Sequence, residues 1–165
     1  MGAPLKLDGL GKIGAAGASR TEDRTKFLSF YADENIAKGN TVALSLSDAE
    51  PANGWGNHIL IADSGDALNM HAIGIAVEAI TSGEIGVVHV AGVCEVAMCS
   101  ADTLADDGQH GMLVCQQNAP GELELYDTSG TPAAGGDTLP LGILIDFGTD
   151  ATADSTVFLI NPAKL

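Results

Sequence analysis

The stretch SGEIGVVHVAGVCEV, Ser82 to Val96, decides how this chain is read. A histidine, a cysteine and a glutamate sit inside a run of valines. They are either catalytic groups presented on a strand or ordinary side chains of a structural sheet. Alternation answers the question, because successive residues of a strand face opposite ways. One face holds Val88, Val90, Gly92, Cys94, Val96 and Met98, and is expected to meet the core. The other holds Val87, His89, Ala91, Val93, Glu95 and Ala97. His89 and Glu95 then lie about 20 Å apart along an extended strand, too far to cooperate. Cys94 points away from both. No catalytic dyad is built here, and Gly92 is expected to mark a bulge or bend at mid-strand.

The rest of the chain repeats this texture. Short β-branched runs are separated by turns dense in Gly, Pro, Asp and Asn. GNTVALSL, HILIA, HAIGIAVEAI, HGMLVCQQ, GELELYD, LPLGILIDF and TVFLINP read as further strands. SGDALNMH and CSADTLADDGQH support one or two helical turns and no more. The expected fold is all-β, a small barrel or sandwich. IAKGNTVAL and ITSGEIGVVHV echo one another, each bringing a glycine turn before an apolar strand. The chain divides into a glycine-rich, extended N-terminal arm, residues 1–26, and a single β domain, residues 27–165. Phe27, Leu28, Phe30 and Tyr31 are expected to anchor the arm to that body.

Charge divides the chain a little later, after residue 38. Of seven basic residues, Lys6, Lys12, Arg20, Arg24, Lys26 and Lys38 lie in the first 38 positions, against five acids. From Gly39 to Ala163 there are 17 acids and no lysine or arginine, so the net charge is −15. Such a body repels phosphate, which argues against a nucleic-acid partner. The opening MGAPLKLDGLGKIGAAG has no continuous apolar core and reads poorly as a signal peptide. No apolar run reaches transmembrane length, so no membrane partner is expected.

The chemistry-bearing residues do not assemble into a known motif. His58, His71, His89 and His110 lack metal-ligand spacing, and no serine sits in a GxSxG elbow. Cys94, Cys99 and Cys115 are odd in number and lack zinc spacing; they read as reduced, small, buried side chains. The acid pairs and clusters at Asp63, Asp66, Asp102, Asp106 and Asp107 do not follow a calcium loop. No cofactor, no metal and no enzymatic activity are expected. Trp55, the sole tryptophan, stands between two glycines in a loop and reads either as an interface anchor or as a lid over the core.

One resemblance covers roughly residues 36–162. The order GIAVEAI (Gly74 to Ile80), GEIGVVHVAGV (Gly83 to Val93), a further glycine turn and strand, then GIL (Gly142 to Leu144) resembles the capsid cement, or decoration, proteins of tailed bacteriophages. The resemblance implies a structural virion protein on the outer surface of an expanded capsid, made in the host cytoplasm. It implies a homotrimer that clamps neighbouring copies of the major capsid protein against internal DNA pressure. The interface with capsid or neighbouring protomer is then expected to include Lys6, Lys12 and Arg20 as polar contacts. Leu5, Leu7, Leu10 and Ile13 would be its apolar contacts, Phe27, Phe30 and Tyr31 its arm root, and Trp55 a loop anchor. The Pro51–Asn57 stretch and the arm depart from the pattern. Alternatives are a glycan- or host-surface-binding module on the virion, a subunit of another shell or fibre, and an enzyme with its site between subunits.

Overall fold

The computed structural model describes residues 25–46, 56–63, 71–100, 111–116, 119–126, 139–150 and 152–160. The two stretches expected to form short helical turns fall largely outside these residues. The described elements are all strands: β1 Lys26–Ala32, β2 Thr41–Leu44, β3 His58–Ile61, β4 Ala72–Ala76, β5 Ile85–Met98, β6 Leu113–Gln116, β7 Leu123–Leu125, β8 Gly142–Asp146 and β9 Ala153–Leu159. The protein is all-β, with a closed five-stranded barrel and additional strands. β1 is a full strand rather than only an anchor. Its KFLSFYA run is rich in aromatics, which favour the pleated surface of a sheet.

The barrel runs β1-β3-β2-β4-β5 and closes where β1 pairs antiparallel with β5. Phe30, Ala32, Ile36, Val42, Ile59, Ala76, Ile80 and Val88 fill it. A second sheet runs β5-β9-β8-β6-β7 and shares β5 with the first. Its far edge returns to the chain just beyond β5 through a parallel bridge between Cys99 and Leu123, and the Ser100 N–H donates to the Leu123 carbonyl at 2.9 Å. Ile75, Cys94, Ala97, Cys99, Val114, Leu123, Leu141, Leu144, Val157 and Leu159 form the second core. Each fully buried aliphatic side chain of this kind contributes roughly 1.5–3 kcal/mol.

Gly92 marks the handover between the two sheets. β5 pairs with β1 up to Ala91 and with β9 from Gly92 onward. Gly92 has φ 99°, a left-handed conformation that glycine adopts without the Cβ clash. Val88, Gly92 and Cys94 are buried as the alternation expects, but Ala91 of the opposite face is buried too, beside a register shift in the β1–β5 pairing. The register with β9 shifts between Cys94 and Ala97, so the extra residue moves Ala97 into the second core and leaves Val96 only partly buried. His89 also departs from a simple two-face reading: it is buried, because the side of β5 away from the barrel core is itself covered.

The echo noted in the sequence is longer than its glycine turns. Ala32-x-Glu34-x-Ile36-x-x-Gly39 and Ala76-x-Glu78-x-Ile80-x-x-Gly83 share one spacing. The two segments clasp each other about an antiparallel Ile36–Ile80 bridge, with both N–H to carbonyl distances at 2.9 Å. The Gly83 N–H donates to the Ala32 carbonyl and the Gly39 N–H to the Ala76 carbonyl. Each half therefore completes the strand end of the other. Asn40 then ties this clasp to the second sheet: its Nδ2 lies 3.3 Å from both the Gly121 carbonyl and the Met98 sulfur.

The paired turns make a stability test. Gly39 and Gly83 have φ 88° and 83°. A Cβ on Gly39 would lie 2.5 Å from the Val96 carbonyl oxygen and 2.6 Å from the Ala153 Cβ, whereas one on Gly83 meets nothing within 4 Å. Gly83→Ala should cost only the left-handed backbone penalty, about 1–2 kcal/mol. Gly39→Ala should cost a further ~1–3 kcal/mol for overpacking. Urea denaturation of the two variants measures the difference; equal losses would mean that the contact between the two sheets at Gly39 relaxes freely.

Candidate functional site

Among the described residues, the closest approach to a reactive constellation is one that no motif in the sequence announces. The end of β1 and the start of β3 pair in parallel, setting Tyr31 opposite His58. The His58 Nδ1 lies 2.6 Å from an Asp33 carboxylate oxygen, and the Tyr31 ring stacks on the imidazole at 5.5 Å between centroids. Burial pulls the Asp33 carboxyl up. Hydrogen bonds from Ser45 and His58, with the charge of His58, together outweigh it and hold the group below its ordinary value. A Ser-His-Asp triad needs a hydroxyl at the other imidazole nitrogen. Here Ser45 bonds to Asp33 instead, and His58 Nε2 is buried with no hydrogen-bond partner among the described residues. The pair fastens β1, β2 and β3 together at one end of the barrel. It was illegible in the sequence because its partners stand 25 positions apart and only the parallel β1–β3 pairing joins them.

The cysteines are part of the packing, whereas His71 is exposed just before β4. Cys94, Cys99 and Cys115 are free thiols and buried. Burial pushes the Cys99 thiol up to about 12. A hydrogen bond from Ser155 offsets this in part, while Cys94, Glu122 and Asp154 add to the rise. Burial likewise raises Cys94, partly offset by a hydrogen bond with the Val96 backbone. Neither can supply a thiolate near neutral pH. Among the described residues no group of three His, Cys, Asp or Glu is placed to hold a metal ion. His110, Asp66, Asp102, Asp106 and Asp107 lie outside those residues.

Of the expected interface residues, Leu5, Lys6, Leu7, Leu10, Lys12, Ile13, Arg20 and Trp55 lie outside the described residues. The three of the arm root take different positions. Phe30 is buried in the barrel core. Tyr31 stacks on His58. Phe27 is 50% exposed, and its ring centroid lies 4.5 Å from that of His89. Its neighbour Leu28 is 52% exposed. His89 donates from Nε2 to the Ala91 carbonyl at 2.9 Å when that nitrogen carries the proton.

A scan against protein families finds no match, and no curated protein matches the chain. Among solved structures, the chain is similar to the N base of the head fiber protein gp8.5 of bacteriophage phi29. The match has 15% identity and a TM-score of 0.48, and covers 83% of this chain and 95% of that one. At that level the likeness bears on neither partner nor activity.

Two measurements check the chemistry of the site. At about pH 8 a thiol reagent should label none of the three cysteines in the native protein, and all three in urea. Rapid native labelling would show that one of them is reachable and reactive. For His89, burial lowers the value from 6.5, and the hydrogen bond to Ala91 raises it by less. The folded state therefore holds the neutral ring. Its contribution is complete above about 6.5 and is lost as pH falls through the lowered folded value. The urea midpoint should fall between about pH 7.5 and about pH 5.5, and fall less in His89→Gln. An unchanged pH response in that variant would place the titration elsewhere.

Proposed function

We propose that this protein is a structural component of a bacteriophage virion, one that binds the outer surface of the expanded capsid and clamps neighbouring major-capsid subunits. The carrying observation is a contrast between neighbouring strands. The thiols and His89 are buried in packing, while Phe27 and Leu28, at the root of the arm, stand about half exposed on opposite sides of β1. Large apolar side chains left exposed on a rigid body at the base of the arm are candidate anchors for a partner that wraps the strand end. The closed barrel gives them a fixed frame, so little order is lost on docking.

The sequence resemblance to cement proteins supplies the partner. The acidic body suits a module facing outward, away from packaged DNA. Lys6, Lys12 and Arg20 supply cationic contacts that residues 39–163 lack, and Trp55 adds an aromatic anchor. A protein that binds assembled shell better than free subunits stabilises the shell by mass action. Many copies, acting as trimers at joints between capsomers, make modest individual contacts sufficient.

Purified protein should co-sediment saturably with expanded capsids lacking it, and not with unexpanded procapsids. Phe27→Asp with Leu28→Asp should weaken that binding roughly tenfold or more, as expected for one or two interface anchors. Absence of binding to either form of shell would sink the capsid reading. Undiminished binding by the double variant would remove the arm root from the interface.

A further inference from the structure

The second sheet carries an apolar row on its outer side. Val93 of β5 stands opposite Phe158 of β9, Phe158 opposite Ile143 of β8, and Ile143 opposite Leu113 of β6. Directly paired residues point to the same face, so these four side chains cross four adjacent strands in line. Their strand neighbours Cys94, Val157, Leu144 and Val114 turn the other way and belong to the second core. Val93 is 40% and Leu113 38% exposed, with Phe158 and Ile143 partly buried between them. Along one side of the row, on the same strands, stand the exposed acids Glu95, Asp154 and Asp146. The chain from Gly39 to Ala163 contains no lysine or arginine to neutralise them.

Three observations select the occupant. The first is chemical. An apolar row with an acidic rim fits an extended apolar segment that carries cations. LKLDGLGKI, Leu5 to Ile13, has that composition, with Leu5, Leu7, Leu10 and Ile13 set among Lys6 and Lys12. The second is where that segment is attached. β1 begins at Lys26, opposite Ala91, and from the next β5 residue onward β9 takes over the pairing. The chain entering β1 thus arrives at the Val93 end of the row. The third is reach. Residues 14–25 span about 40 Å when extended, while four strands span only about 14 Å. A second copy of the body is a poorer fit, since two such acidic surfaces repel.

We propose that Leu5–Ile13 of the same chain lies across the Val93–Phe158–Ile143–Leu113 row as a strap, its lysines beside Glu95, Asp154 and Asp146. Attachment through a short linker gives the segment a high effective concentration at the row, so modest contacts hold it. The inference concerns the free protein and does not depend on the capsid reading.

Trypsin reads the strap directly, because the body between Gly39 and Ala163 offers it no cleavage site. In the full chain, the Lys6–Leu7 and Lys12–Ile13 bonds should be cut about tenfold or more slowly than in a synthetic peptide of residues 1–24, since cleavage tracks the open population. The protection should be unchanged on hundredfold dilution. Val93→Asp or Leu113→Asp should bring cleavage to the peptide's rate, and so should Leu7→Asp with Leu10→Asp, which leaves the body untouched. Native thiol protection confirms that each variant is folded. Cleavage of the full chain at the peptide's rate overturns the proposal, as does protection that survives the arm variant. Protection that falls on dilution assigns the segment to a second copy and overturns the same-chain strap.

Discussion

The architecture depends on the backbone of one residue. β5 serves two sheets, and a single strand can do so only if it turns between them without losing its hydrogen-bonding capacity. Gly92 makes that turn at φ 99°. Before it, β5 closes the first barrel with β1; after it, β5 opens the second sheet with β9. An L-residue with a side chain would meet the penalty of the left-handed region at the point where two cores must both be sealed. The bulge between Cys94 and Ala97 completes the turn by re-aiming the strand so that Ala97 and Cys99 fill the second core.

The clasp of Ile36 and Ile80 solves a related problem. A five-stranded barrel has a small interior, and its ends need backbone partners that loops rarely provide. Here two loops of matching sequence supply them to each other. Ala32 and Ala76, at the ends of β1 and β4, each accept a hydrogen bond from the glycine of the opposite loop. Asn40 and Gly121 carry the same wedge across to the second sheet, where the Thr41 N–H donates to the Gly121 carbonyl at 2.8 Å. The two cores are separate in their side chains and continuous in their backbone hydrogen bonds.

Local chemistry was legible in the sequence, and long-range closure was not. Runs such as TVAL, HILI and LVCQ are strands because their composition suits nothing else, and Gly92 could be singled out because glycine in a strand has to be explained. β1 was under-read because its aromatics suggested an anchor, although the same residues favour a pleated strand. The faces of Val96 and Ala97 were exchanged, since a bulge leaves no mark in a run of small apolar residues. His89 lay on the face that looked free, but its ring meets Phe27 and its strand partner Ile75 belongs to the second core, neither of which local alternation reveals. The Asp33–His58 pair and the Cys99–Leu123 bridge exist only through pairings between segments distant in sequence.

Charge and burial together narrow what such a body can do. Basic residues are confined to the first 38 positions and Lys164, so the stretch from Gly39 to Ala163 has no lysine or arginine with which to hold an anionic substrate. Its described thiols are buried, two of them with raised values, and the one carboxylate–imidazole pair among the described residues lacks a hydroxyl at the other ring nitrogen. What remains available is surface: half-exposed aromatic and aliphatic side chains on strands whose shape is fixed by two cores. The segregation of cations into a separate arm then has a physical use. The 17 acids between Gly39 and Ala163 oppose non-specific contact between bodies, while a segment that sets lysines among leucines suits an acidic, apolar surface within reach. If the arm straps the second sheet as proposed, association is controlled by where the arm lies rather than by a change in the fold of the body.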